Sequence, residues 1–119
     1  MSKGVEDLQL YKQYVTLISY TEMITKKYPK VEKTALVSKI KSETYDGLKC
    51  IILAYRLYDI KDKIRELNRL DSTLKTLKVL IRVSYKSKYI NIKNYEAWNK
   101  KIFHIGNMLG GWINSCLKN

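Results

Sequence analysis

The chain has 119 residues, of which 45% are hydrophobic, and its formal net charge is +12 at pH 7. This composition excludes a wholly disordered protein and predicts one domain, residues 1–119, with enough apolar side chains to form a core. Such a high positive charge favours a polyanionic partner, either nucleic acid or an anionic membrane surface.

One proline and five glycines are too few turn-forming residues for an all-β fold, so we expect helices throughout. The first helix must end near Tyr28, because the residue before Pro29 avoids the α conformation. Its apolar positions follow a three- and four-residue spacing. They are Leu8, Tyr11, Val15, Ile18, Met23 and Ile24.

The second helix is predicted to begin near Thr34, whose hydroxyl can serve as an N-cap. Its apolar stripe consists of Leu36, Ile40, Gly47, Ile51, Ala54 and Tyr58. The third helix has the most regular spacing, which indicates the seam of a helical bundle. Its stripe consists of Ile60, Ile64, Leu67, Leu70, Leu74, Leu77, Ile81 and Ser84.

A fourth helix follows a cap at Asn91 or Asn94. Its stripe consists of Tyr95, Trp98, Ile102, Ile105, Leu109, Trp112 and Cys116. The sequence therefore predicts an all-α fold, an up-down four-helix bundle with short connections. These connections are expected near residues 29–33, 58–61 and 87–94.

The segment HIGNMLGGWINS, residues 104–115, places Gly106, Gly110 and Gly111 inside the fourth helix. Glycine in a helix costs about 1 kcal/mol against alanine, so these residues need a reason. Because the apolar period continues through Trp112, close approach of another backbone is favoured over a helix stop. The alternative is a C-terminal cap at Gly110 or Gly111.

The sequence offers little for catalysis. His104 is the only histidine, and no acid within one turn could orient its ring as a general base. Acids at the start of the third helix (Asp59, Asp62 and Glu66) are explained by the helix dipole and by pairing with basic neighbours. We therefore predict a protein that is not an enzyme and that has no metal site or cofactor.

The two cysteines, Cys50 and Cys116, lie in apolar patterns without metal-ligand spacing, so buried free thiols are expected. Free thiols suit a reducing compartment. The N-terminal stretch MSKGVEDLQLYKQY is charged, unlike a signal peptide. We accordingly expect a cytoplasmic location.

Positive charge is concentrated in the second half of the chain. After Asp71 there are nine basic residues and one acid, Glu96, so +8 of the net +12 lies in the last 48 residues. The candidate nucleic-acid-binding residues are Lys75, Lys78, Arg82, Lys86 and Lys88. The first four share one side of the third helix, and a row of cations suits a phosphate backbone. A solvated face is the alternative, although such a face ordinarily includes glutamates as ion-pair partners, and we expect this row to have none.

Two tyrosines, Tyr85 and Tyr89, lie among these basic residues. Aromatic rings between cations can stack on nucleobases. For each of them, a position in the core is the default expectation.

The fourth helix resembles that of a known family, the accessory variability determinant (Avd) proteins of diversity-generating retroelements. The resemblance rests on IGNMLGGWINS at residues 105–115, supported by LKTLKVLIRVS in the third helix. LKC at residues 48–50 and the Tyr28–Pro29 pair are also similar to the family. The wider group of four-helix bundles includes proteins encoded in 23S rRNA intervening sequences.

The resemblance implies a basic homopentameric barrel of four-helix bundles that binds RNA and DNA. It also implies association with the reverse transcriptase of the retroelement and no catalytic activity. By matching position, Lys78 and Arg82 occupy basic places of the family's third helix. The glycines and Trp112 occupy its fourth-helix signature. Two alternatives remain: a protein of the rRNA intervening-sequence type, and a basic bundle that docks on anionic membranes.

Overall fold

The structure, a computed structural model, describes residues 4–5 and 8–118. In this part of the chain, four α-helices and one short 3₁₀ helix follow one another. They are α1 (Gln9–Thr25), the 3₁₀ helix (Lys30–Thr34), α2 (Leu36–Arg56), α3 (Ile60–Lys86) and α4 (Ile92–Leu117). The all-α class and the four predicted helices are confirmed.

The helices form an up-down bundle. Each α-helix packs against the next along the chain, and α1 also packs against α4, which closes the ring of neighbours. Residues 57–59 join α2 to α3, and residues 87–91 join α3 to α4. Connections this short force consecutive helices to run antiparallel. The resulting bundle measures 46 × 23 × 22 Å.

Side-chain caps start the two longest helices. The Asp59 carboxylate accepts a hydrogen bond from the Asp62 backbone N–H at 3.1 Å, which fixes the start of α3. At the start of α4, the Asn91 side-chain oxygen accepts from the Asn94 N–H at 2.7 Å. The predicted cap at Asn91 is confirmed, and Asn94 is its hydrogen-bond donor.

The start of α2 differs from the prediction. Thr34 is not an N-cap, because the chain forms a turn of 3₁₀ helix that ends at Thr34, and Ala35 precedes α2 without a side-chain cap. The end of the predicted stripe also differs. Helix α2 stops at Arg56, so Tyr58 lies in the connection with 97% of its side chain exposed.

The buried face of α1 is rotated relative to the predicted one. Val15 and Met23 are exposed, whereas Tyr14 and Thr21 are buried. Two polar side chains can lie in this core because their hydroxyls are satisfied there. Tyr14 donates to the Thr44 carbonyl at 2.7 Å, and Thr21 donates to the Leu17 carbonyl at 2.8 Å.

The stripes of α3 and α4 form the core largely as predicted. Ile60 is exposed and Ile64 is half-buried, while the later positions of α3, from Leu67 to Ser84, are buried. In α4 the buried residues are Trp98, Ile102, Ile105, Leu109 and Cys116. Trp112 is half-buried. Both cysteines are buried free thiols, as expected.

Candidate nucleic-acid interface

The outer face of α3 carries a row of cations. Lys75, Lys78, Arg82 and Lys86 are all exposed, and they succeed one another by three or four residues. The seam formed by Leu74, Leu77 and Ile81 is buried, so the row runs beside the core-facing side of the helix. This arrangement holds four positive charges on one rigid element.

Lys75 differs from the other three cations. Its ammonium lies 2.6 Å from an Asp71 carboxylate oxygen, one turn earlier in α3. Among the residues that the structure describes, no ion pair involves Lys78, Arg82 or Lys86. The sequence-based expectation of a row without acidic partners is therefore wrong for Lys75. We refer to Lys78, Arg82 and Lys86 as the unpaired cations.

Lys88 extends the positive face beyond the end of α3. Its φ is 65°, in the left-handed region that glycine normally occupies at a helix C-terminus. The Lys88 N–H donates to the Tyr85 carbonyl, and the Tyr89 N–H donates to the Ser84 carbonyl. These two bonds form a Schellman motif, so Lys88 holds a strained backbone position with its side chain exposed.

A groove of about 170 Å³ lies between α3 and α4, next to the unpaired cations. Its α3 side includes Lys75 and Lys78, and its α4 side includes Phe103 and Gly106. The complete lining is Asp71, Leu74, Lys75, Lys78, Ile102, Phe103, Gly106 and Asn107. The groove thus brings part of the predicted basic site together with the first glycine of the α4 segment.

The glycines of α4 do not pack against their own chain. A Cβ added at Gly106, Gly110 or Gly111 would have no other atom within 4 Å, apart from the chain neighbours and nearby helix backbone that are always close. The helix nevertheless continues to Leu117, which excludes a C-terminal cap at Gly110 or Gly111. Within the described chain, the glycine in close contact is Gly47 of α2, against which the Tyr14 side chain packs.

The chain matches a known protein family over nearly its whole length. A family model described as bAvd-like matches residues 8–116, which include all four α-helices apart from the last residue of α4. The chain belongs to the bAvd-like family. The resemblance to Avd proteins drawn from the α3 and α4 motifs is thereby confirmed. None of the curated proteins matches the chain.

In this bAvd-like chain, the tyrosines near the basic row have partners inside the bundle. Tyr85 stacks on Tyr95 with ring centroids 4.6 Å apart and an angle of 18°. Tyr89 packs against Tyr28, and its hydroxyl donates to Glu32 at 2.6 Å, which raises the pKa of Tyr89. Both tyrosines are half-buried and pack within the protein, in line with the default expectation.

The acids at the start of α3 in this family member have structural partners. Asp59 caps the helix, Asp62 pairs with Arg65 at 3.0 Å, and Glu66 pairs with Arg69 at 3.6 Å. Within residues 4–5 and 8–118, no group of three or more His, Cys, Asp or Glu side chains could hold a metal ion. His104 is exposed, and its ring meets that of Phe103 edge to face.

Two lysines, Lys33 and Lys63, stabilise helix ends, a role that the sequence analysis did not predict. The Lys33 ammonium donates to the Thr25 and Lys26 carbonyls at 2.7 and 2.8 Å, at the end of α1. Lys63 donates to the Ala54 carbonyl at 2.7 Å, near the end of α2. Both cap carbonyls that a helix C-terminus leaves without partners. Their only sequence signal is a lysine seven to nine residues after the carbonyl, across a chain reversal.

None of the described helices of this bAvd-like chain has the length and apolar character needed to span a bilayer.

Proposed function

We propose that this protein is the non-catalytic, nucleic-acid-binding accessory protein of a diversity-generating retroelement. In this role it binds RNA and DNA and associates with the reverse transcriptase to support mutagenic cDNA synthesis. Membership of the bAvd-like family supports the retroelement role. The distribution of charge on α3 supports the binding role.

The unpaired cations are the observation that carries this proposal. An exposed lysine or arginine without an acidic partner is free to replace a counterion on a phosphate. Lys78, Arg82 and Lys86 meet this condition in the described chain and lie on one face of a continuous helix. Contacts of this kind position a phosphate backbone but read no base sequence. Binding is therefore largely independent of sequence and sensitive to salt.

The proposal includes assembly of several copies, with the pentamer that the resemblance implies as the expected state. Large apolar side chains on α3 and α4 remain exposed, including Val79 at 57%, Ile92 at 50% and Leu117 at 66%. The open glycines of α4 lie on the same helix as Ile92 and Leu117. A second copy that packs on the C-terminal end of this helix would cover the apolar surface of Leu117 and use the space beside Gly110 and Gly111.

Measurement of binding across a salt series tests the nucleic-acid role. Replacement of both Lys78 and Arg82 by alanine is expected to weaken binding to all sequences alike. It should also reduce the slope of log affinity against log salt by roughly one unit per lost contact. The matched control replaces both Lys39 and Arg65 by alanine. This change removes the same amount of positive charge, but these two residues already pair with Glu43 and Asp62. Equal affinity of the folded Lys78/Arg82 variant and the parent would contradict the proposal.

Co-expression with the reverse transcriptase of the same locus tests the second role. The tagged protein should retain the polymerase through purification in moderate salt. A locus that lacks both a reverse transcriptase gene and a template repeat would instead favour the rRNA intervening-sequence type of bundle.

A further inference from the structure

Phe103 is an aromatic residue that the bundle leaves largely uncovered. It is 64% exposed on α4, at the edge of the groove between α3 and α4. Its ring lies at 61° to that of His104, with centroids 6.1 Å apart, so the two rings are not stacked. A large ring face therefore remains open to a partner.

The groove beside Phe103 contains groups suited to a nucleotide. Lys78 supplies a positive charge with no ion-pair partner in the described chain, while the charges of Lys75 and Asp71 compensate each other. Asn107 adds a side-chain amide that can both donate and accept hydrogen bonds. At Gly106 no side chain fills the space, so a flat ring can come close to the α4 backbone.

We propose that this groove binds an unpaired nucleotide, with its base stacked on Phe103 and its phosphate held by Lys78. Asn107 hydrogen-bonds to an edge of the base. The inference rests on the proposed nucleic-acid-binding function and deepens it, because it names single-stranded RNA or DNA as the class of ligand. Bases of a duplex are stacked on one another and cannot offer a free face to a side chain.

From this groove the strand continues along α3. Arg82 and Lys86 follow Lys78 at four-residue intervals, which corresponds to about 6 Å along the helix for each interval. Both side chains are exposed on the same side of α3 as Lys78. The groove therefore holds one base, and the other two unpaired cations hold neighbouring phosphates.

Tyr58 and Tyr85 differ from Phe103 in their surroundings. Tyr58 is 97% exposed in the connection between α2 and α3. Its groove is also lined by Lys63, which donates to the Ala54 carbonyl, and by Arg56. That groove lies around the start of α3, whereas the unpaired cations lie near the other end of this helix. Tyr85 lies near the unpaired cations, but Tyr95 stacks on its ring. Of these three aromatic residues, Phe103 has an open ring face in the same groove as Lys78, the first of the unpaired cations on α3.

The test compares the affinities of Phe103→Leu and the parent protein for oligonucleotides of about 16 nucleotides, a length within the range of single-strand sites. Single-stranded RNA, single-stranded DNA and the corresponding duplex are measured separately. Loss of one stacked base is expected to weaken single-strand binding roughly 5- to 150-fold, with duplex affinity changed less than about twofold. Phe103→Trp should retain the single-strand affinity. Tyr58→Leu is the matched control and should change neither affinity.

A strand with abasic sites isolates the stacking contribution. It keeps the phosphates but offers no base, so the parent and Phe103→Leu should bind it equally. If Phe103→Leu binds intact single strands as well as the parent does, the stacking proposal is overturned while the proposed function stands. If Phe103→Leu lowers the mass of the assembly in light scattering, the groove is a contact between subunits and the proposal is wrong. If the parent binds no nucleic acid, the proposed function itself fails.

Discussion

The Tyr14 side chain of α1 lies directly against Gly47 of α2. A Cβ on Gly47 would stand 2.7 Å from the Cζ atom of Tyr14 and still closer to its hydroxyl oxygen. That hydroxyl donates to the Thr44 carbonyl at 2.7 Å, and burial raises the pKa of Tyr14. The ring and its hydrogen bond thus fit only because residue 47 has no side chain.

We expect Gly47→Ala to destabilise the fold by about 1–3 kcal/mol, because the added methyl overpacks a rigid core contact. Thermal or chemical unfolding measures this change. In a Tyr14→Phe background the cost should be smaller, since the hydroxyl nearest the new methyl is gone. Unchanged or increased stability of Gly47→Ala would contradict the contact, because alanine otherwise favours a helix by up to about 1 kcal/mol.

Gly110→Ala tests the proposed assembly. Within one chain the added methyl meets open space, so the helix itself should tolerate or favour alanine. If a second copy packs there, the methyl will separate the two backbones, and the assembly should dissociate while its helical content is kept. Light scattering and circular dichroism measure the two properties. Parental mass with a raised melting temperature would show that Gly110 lies on a free surface.

Lys88→Gly should change stability and binding in opposite directions. Glycine adopts the left-handed conformation at φ 65° without the steric cost that lysine bears there, so we expect a gain of about 1 kcal/mol. Loss of the cation should at the same time lower nucleic-acid affinity and reduce the salt slope by about one unit. Lys88→Asn also tolerates this conformation and removes the charge, so it should lose affinity as well. Unchanged affinity in both variants would remove Lys88 from the interface.

Lys33→Met should destabilise the fold by about 1 kcal/mol, because the last carbonyls of α1 lose a charged donor that is partly exposed to water. Methionine keeps much of the length of the side chain. The neighbouring Lys30→Met serves as a control of equal charge, and chemical unfolding compares the two variants. Equal stability of both variants would show that the Lys33 cap contributes nothing.

Glu22 should make the stability of the fold depend on pH. Hydrogen bonds from Tyr45 and Lys41 hold the pKa of its carboxyl below the ordinary value of 4.5. A lowered pKa means stability that is present above the ordinary pKa and lost as pH falls through the folded-state value. Tyr45→Phe should therefore raise the pKa of Glu22, as measured by NMR titration. It should also reduce the loss of stability on acidification. A pKa unaffected by this substitution would exclude Tyr45 as the main cause.

The local pattern of the chain determined the four helices and much of the candidate site. Scarcity of glycine and proline, the three- and four-residue spacing of apolar residues, and the cap at Asn91 all act within one helix or its first turn. The same is true of the row from Lys75 to Lys86, whose members share a face because of helical geometry alone. Properties that depend on neighbours in the sequence were therefore predictable.

Tertiary packing decided everything that requires a second helix. On α1 two flanks are apolar, and the flank with Tyr14 became the buried one because Thr44 and Gly47 of α2 accommodate its hydroxyl and ring. Packing also determined which glycine lies in close contact, and it placed Phe103 and Lys78 on the same groove. Sequence spacing gives no distance between helices, so these relationships follow only from the way in which the four helices meet.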